Sequence, residues 1–195
     1  MPQLWAETIA AHQAEVREAI LDAAGELLQR RGLLSLSMSE IAAAADIGRA
    51  TLYKYFPDVE HVLAAWHDRE VAAHLAELAA LAEAPDDSGK RLRAVCLAYG
   101  RICQQRRQHG DAALRAALHG QRPADDPSDQ LVAIFIGLIT EATAAGVVRG
   151  DVPPAELAAY CLSALEAARA AAGQAALGRL VDIVWAGLAS MTSYG

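Results

Sequence analysis

Between Ser37 and Phe56 the chain reads SMSEIAAAADIGRATLYKYF, and no other stretch restricts the fold so narrowly. Ser37 and Glu40 have the spacing of a capping box, in which the Ser oxygen takes an orphan amide and the Glu side chain returns the bond. Behind them Met38, Ile41, Ala42 and Ala45 recur at helical spacing and form one small apolar face. Asp46 then stands where the chain must turn sharply, and Asp tolerates a left-handed backbone better than most residues. Gly48 opens a second helix that exposes Arg49, Ala50, Thr51, Tyr53 and Lys54, turns Ile47 and Leu52 inward and stops at Pro57. Two short helices around a tight turn, the second one cationic, predict a helix-turn-helix shaped to enter the major groove of DNA.

Such a pair needs a third helix to close a core. Glu15 to Arg31 supplies it, with Val16, Ala19, Ile20, Ala23, Ala24, Leu27 and Leu28 at spacings of three and four and Gly32 as a stop. Residues 1–14 either extend this helix or form an arm. From Arg30 to Phe56 the cations Arg30, Arg31, Arg49 and Lys54 face only Glu40 and Asp46, so a positive tip sits on a chain of formal net charge −7. A tip of this kind suits a reader of particular sequences, since phosphate contacts act over about a Debye length of roughly 10 Å.

The stretch resembles the DNA-binding motif of the TetR family of bacterial transcriptional regulators. That motif runs from Thr and an apolar residue through Ile-Ala and a Gly-containing turn to Thr-Leu-Tyr and a Tyr/His-Phe end. Here it is matched by Ser37, Met38, Ile41, Ala42, Ala45, Ile47, Ala50, Thr51, Leu52, Tyr53, Tyr55 and Phe56. Asp46 replaces the usual turn Gly, Gly48 the usual capping Ser, and Val59 a Lys common after the motif, which removes a phosphate contact. The resemblance covers about twenty residues and beyond them is one of architecture. It implies a repressor that binds DNA as a dimer and is released from its operator by a small molecule. The expected DNA-binding residues are Ser37, Arg49, Ala50, Thr51, Tyr53, Lys54 and Tyr55. Arg49 has the fork that pairs with guanine, Thr51, Tyr53, Lys54 and Tyr55 hold phosphates, Ser37 caps and also reaches phosphate, and Phe56 packs.

The remainder is expected to be helical throughout, because Ala and Leu dominate, aromatics make up 5% and β-branched runs are rare. The fold class is therefore all-α, with a helix-turn-helix domain at 1–60 and an effector-binding and dimerisation domain at 61–195. Asp58 caps a long helix to about Glu83, whose apolar stripe shifts from Val62, Leu63 and Trp66 to Val71, Leu75 and Leu78, as a connecting helix requires. Further helices are expected at 91–108, 111–119, 129–145, 155–172 and 175–191, with loops at 85–89 and 121–128. In the last two, a smooth face (Ala158, Ala164, Ala168) and a knobbed one (Leu177, Val181, Trp185) fit either a two-fold dimer or an intrachain core. The dimer is preferred, since a short reading helix needs a two-fold partner on a palindromic site; its residues are Ala164, Ala168, Leu177, Val181 and Trp185.

An effector cavity is expected among Trp66, His74, Tyr99, Cys103, Arg106 and Phe135. Arg106 continues the apolar register of Tyr99, Ile102 and Cys103, so it either points inward to an acidic ligand or snorkels to solvent. Between Lys90 and Arg122 eight cations accompany one anion, Asp111. His67, Glu70, His74 and Glu77 share one side of the long helix and read either as a solvated edge or as a ligand set for a metal. The rival function is accordingly a helical metal- or ligand-binding protein using His67, Glu70 and His74 without DNA regulation. No nucleophile elbow, phosphate-loop pattern or zinc-protease motif occurs, so no enzyme, cofactor or resident metal is expected. Cys96, Cys103 and Cys161 lack metal-knuckle spacing and read as buried thiols. With no membrane-length apolar run and no basic residue heading the chain, a cytoplasmic protein is expected.

Overall fold

The computed structural model describes residues 2–32, 36–108 and 127–190. Its elements are α1 (Pro2–Arg31), α2 (Met38–Ala44), α3 (Arg49–Tyr55), α4 (Val59–Ala82), α5 (Ser88–Gln108), α6 (Pro127–Ala144), α7 (Pro154–Leu165), a 3₁₀ segment (Glu166–Ala170) and α8 (Gly173–Leu188). Among the described residues the only β-type pairing is an isolated antiparallel bridge between Val148 and Ala189, so the fold is all-α as expected. Residues 2–14 extend α1 and form no arm, because Pro2 is tolerated in a first turn and nothing after it breaks the helix. The expected helix at 111–119 lies outside the described residues.

The chain divides into two compact units, and among the described residues the division falls inside α4, after Glu70. The N-terminal unit closes on Ile20, Leu21, Ala24 and Leu28 of α1, Met38, Ile41 and Ala42 of α2, Leu52 of α3, and Val62, Leu63 and Trp66 of α4. The first turns of α4 thus belong to this core, which carries the unit past residue 60. Gly25 makes that closeness possible: a Cβ there would stand 2.6 Å from the indole nitrogen of Trp66. A side chain at this position would force the ring out of its place.

The second unit is built on α5, whose Leu92, Val95, Cys96, Tyr99, Ile102 and Cys103 are buried in the register seen in the sequence. Phe135, Leu138, Ile139 and Ala142 of α6, Leu157, Ala158, Cys161 and Leu165 of α7, and Leu177, Val181, Val184 and Leu188 of α8 complete the core, with Leu78 from α4. The α4 stripe thus begins in the first core with Val62, Leu63 and Trp66 and reaches the second with Leu78, while the expected Val71 and Leu75 belong to neither core. Arg91, four-fifths buried, donates to the Ala82 carbonyl at 2.5 Å and to Glu141 at 2.5 Å, tying α4 and α6 to α5. α6 ends at Gly146 in the left-handed region (φ 73°), where the Val147 amide reaches the Ala142 carbonyl at 2.9 Å in a Schellman lock. The helix expected over 155–172 is shorter: it tightens to 3₁₀ from Glu166 to Ala170, and Ala171 is extended. Cys96, Cys103 and Cys161 are free and buried, with the Cys96 thiol pushed up by its bond to Cys161 and by burial.

Candidate nucleic-acid interface

Ser37 takes an extended backbone (φ −133°, ψ 154°), and its Oγ accepts the Glu40 amide at 3.3 Å, which starts α2. The return bond differs from the expected one. Glu40 Oε2 accepts from the Ser37 hydroxyl at 2.7 Å, while its Oε1 accepts from Arg31 Nη1 at 2.9 Å. Ser37 therefore has its proton committed, and it can donate to a phosphate only by releasing Glu40.

α2 ends as its sequence requires. Asp46 adopts φ 53°, the Asp46 amide reaches Ala43 at 3.3 Å and the Ile47 amide reaches Ala42 at 3.0 Å. This is the same Schellman lock that Gly146 makes at the end of α6, with Asp supplying the left-handed residue. Ile47 is half-buried against the core beside this turn. Gly48 then starts α3 without a side-chain cap, and Leu52, fully buried, anchors the helix from beneath.

That anchoring decides what α3 shows to solvent. Arg49, Ala50 and Lys54 are exposed, Tyr53 is 48% exposed, and Thr51 is half-buried. Tyr55 is half-buried and packed against the N-terminal core, so its ring serves packing as well as the surface. Phe56 caps the C-terminus of α3 and is buried, with the Arg17 guanidinium 5.2 Å above its ring. Asp58 starts α4 by accepting the His61 amide at 2.9 Å and facing His61 Nδ1 at 2.8 Å; the bond to the His61 side chain holds its carboxyl below the usual range.

The expected effector residues separate. Tyr99, Cys103 and Phe135 meet in the second core, where the Tyr99 and Phe135 rings stand edge-on at 5.9 Å. His74 is half-buried on the part of α4 that belongs to this unit. Trp66 is not with them: it fills the N-terminal core against Gly25, because the stripe on α4 has not yet turned at that point. The side chain of Arg106 lies outside the described residues.

The dimer residues need a similar correction. Ala168, Leu177 and Val181 are buried within their own unit, and Ala164 and Trp185 are half-buried against the same core. The knobbed stripe of α8 is consumed by α5 and α7, because an apolar stripe packs on whatever apolar surface lies nearest. Trp185 also lies 6.0 Å under the Arg93 guanidinium, which pairs with Asp182. The faces left outside carry Ala159, Tyr160, Ser163, Ile183 and Ala186 instead. Nor do the four polar residues of α4 converge. Among the described residues no three His, Cys, Asp or Glu side chains could hold a metal, and Glu70 faces Arg69 at 3.9 Å while Glu77 faces Arg101 at 3.7 Å.

A capped helix, a Schellman turn and a second helix with an exposed cationic face, followed by a helical second unit, define a helix-turn-helix protein with an all-α companion domain. Comparison with known proteins narrows this class. Residues 20–65 match the family described as bacterial regulatory proteins, tetR family. The HTH-type transcriptional regulator EthR of Mycobacterium tuberculosis is 42% identical over 72 residues, which are 37% of this chain and 33% of EthR. The HTH-type transcriptional repressor KstR of the same organism is 28% identical over 134 residues, 69% of this chain and 61% of KstR. The matches thus span about a third and three fifths of those relatives. Among solved structures, a TetR regulator from Streptomyces coelicolor superposes with a TM-score of 0.65 at 28% identity over 90% of this chain and 99% of its own. A TetR/AcrR regulator from Thermobifida fusca gives 0.72 at 19% identity over 92% and 98%, a likeness of fold. Over residues 20–65 the chain is thus similar to the bacterial regulatory proteins of the tetR family, and its fold is like that of TetR-family regulators.

Proposed function

We propose that this chain is a sequence-specific DNA-binding repressor, dimeric on its operator and released from it by a small-molecule effector. The observation that carries the DNA-binding reading is the surface of α3. Arg49 and Lys54 are exposed on a helix held rigidly by Leu52, and among the described residues neither is paired with a carboxylate. Arg49 then reads a base edge, Tyr53, Thr51 and Lys54 hold phosphates, and Ala50 permits close approach. Tyr55 and Ser37 contribute at the margin, each already partly engaged. In this scheme the N-terminal unit, which runs to Glu70, is the reading domain, and the second unit is the effector and dimerisation domain. Repression is supported by the description of KstR, and action in the cytoplasm by the family; among the described residues no helix is long and apolar enough to cross a membrane.

The effector would bind in the second unit near His74, Tyr99, Cys103 and Phe135, preferring one state of the protein and shifting the population toward it. In vitro selection from a random duplex pool, followed by footprinting of the enriched sequence, tests the reading. Enrichment of a two-fold site is the expected outcome, and failure to enrich any sequence would refute it.

For the dimer, the outer faces of α7 and α8 are the supporting feature. Ile183 is 65% exposed and Tyr160 40% exposed, and the Tyr160 hydroxyl lies 2.7 Å from where a Cβ on Gly187 would stand. An exposed apolar surface among small residues suits close helix packing. Ile183→Glu should leave the thermal midpoint nearly unchanged and yield monomers in sedimentation velocity. A dimer of undiminished affinity would place the interface elsewhere. Trp185→Glu is a poorer probe, because Trp185 also packs against its own core.

A further inference from the structure

Five side chains of α7, the 3₁₀ segment and α8 carry charge: Glu156, Glu166, Arg169, Arg179 and Asp182. Three are held within their own unit, Arg169 and Glu166 by each other at 3.1 Å and Asp182 by Arg93. Glu156 and Arg179 are exposed and, among the described residues, have no hydrogen bond or ion pair. What remains is one anion and one cation. Both stand on the outer faces that carry Tyr160 and Ile183. Glu156 lies four residues before Tyr160 and Arg179 four before Ile183, about one helical turn in each case. The first turn of a helix favours Glu156 by itself, but Arg179 is well inside α8 and gains nothing from a helix end.

The two helices run in opposite directions. The chain entering α7 meets the end of α8, where the Arg149 amide reaches the Leu188 carbonyl at 2.9 Å and Val148 bridges Ala189. Further along, the Tyr160 ring lies against Gly187. Glu156 and Arg179 therefore stand at opposite ends of one outer surface, with Tyr160 and Ile183 between them. On the reading that this surface joins two copies of the chain, we propose that each protomer's Glu156 pairs with the partner's Arg179. The two ion pairs fix the direction in which the copies meet and select a second copy of this chain as the occupant. A two-fold contact is self-complementary, so any pair it makes is made twice. An axis across the helices, at the level of Tyr160 and Ile183, exchanges the ends of the surface and sets Glu156 against the partner's Arg179. An axis along the helices keeps the ends, and it sets Glu156 level with the partner's Glu156 and Arg179 level with the partner's Arg179. The first arrangement attracts and the second repels, so charge separates two dimers that the apolar residues alone would permit.

Sedimentation velocity over a concentration series measures the dimer dissociation constant of wild type, Glu156→Arg, Arg179→Glu and the variant with both changes. Thermal unfolding checks that each is folded. Each single reversal replaces two ion pairs by two like-charge contacts and should weaken the homodimer about tenfold or more at low salt. The variant with both changes exchanges the charges and should dimerise to within about threefold of wild type. An equimolar mixture of the two single variants should also recover dimer, since one chain then carries cations at both positions and the other anions. A merely structural role for either residue predicts neither recovery. Undiminished affinity in either folded single variant, or a double variant or mixture that fails to recover, would overturn the proposal. If a reversal prevents folding, Glu156→Gln and Arg179→Gln decide: a several-fold loss in both supports the pairing, and wild-type affinity in either overturns it. A wild-type chain that stays monomeric, or a dimer that survives Ile183→Glu, defeats the dimer reading of this surface and this proposal together; the other failures defeat this proposal alone.

Discussion

Phe135→Ala should destabilise the second unit by about 3–5 kcal/mol, the range for removing a buried aromatic ring. Phe135 is completely buried and stands edge-on to Tyr99 with the ring planes at 74°. The change removes the transfer free energy of the ring, its dispersion contacts and the aromatic pairing, and it leaves a hole between α5 and α6. Those helices are tied at one end by Arg91 and Glu141, which limits how far they can close over the gap. Val132 on the same helix is 37% exposed, so Val132→Ala is the control and should cost no more than about 0.5 kcal/mol. Urea unfolding followed by far-UV circular dichroism measures both. A loss below about 1 kcal/mol for Phe135→Ala would mean that the site collapses freely and that the packing described for α5 and α6 is not tight.

Arg49→Ala is expected to weaken binding to the enriched operator by about 1–3 kcal/mol and to relax the preference at one base pair in each half-site. The argument rests on position and charge. Arg49 is the first residue of α3, exposed and without a carboxylate partner among the described residues, and its fork can pair with the two acceptors of guanine. Lys54, in the last turn of the same helix, should behave differently. Lys54→Ala should weaken all duplexes alike and reduce the salt slope by about 0.9, as loss of one phosphate contact does. Fluorescence anisotropy with single-base variants of the operator separates the two. Uniform loss in both variants, with base preference unchanged, would show that Arg49 also holds phosphate.

Much of the reading head was legible in the sequence, because its determinants lie within a few residues of one another. The cap at Ser37, the left-handed Asp46 and the buried face made by Ile41 and Leu52 all follow from hydrogen bonds and periodicities that span six residues or fewer, or repeat along one helix. Even there, the return partner of Glu40 was not legible. Its carboxylate went to the Ser37 hydroxyl and to Arg31, nine residues away across the connection between α1 and α2.

What the sequence determined by itself was the helical class, the reading motif, and the fact that certain faces must be covered. Tertiary structure decided what covers them. Hydrophobic burial has no direction, so the stripe of Leu177 and Val181 predicts an apolar neighbour without saying whether it is a partner chain or α5 of the same unit. Trp66 likewise belongs to an apolar stripe, but only the packing against Gly25 assigns it to the N-terminal core. Charge behaves in the same way. The four cations between Arg30 and Phe56 look equivalent as letters, yet two are held by Glu26 and Glu40, and the two on α3 have no carboxylate partner among the described residues. Long charged side chains choose partners by where the helices bring them, and that geometry is absent from a count.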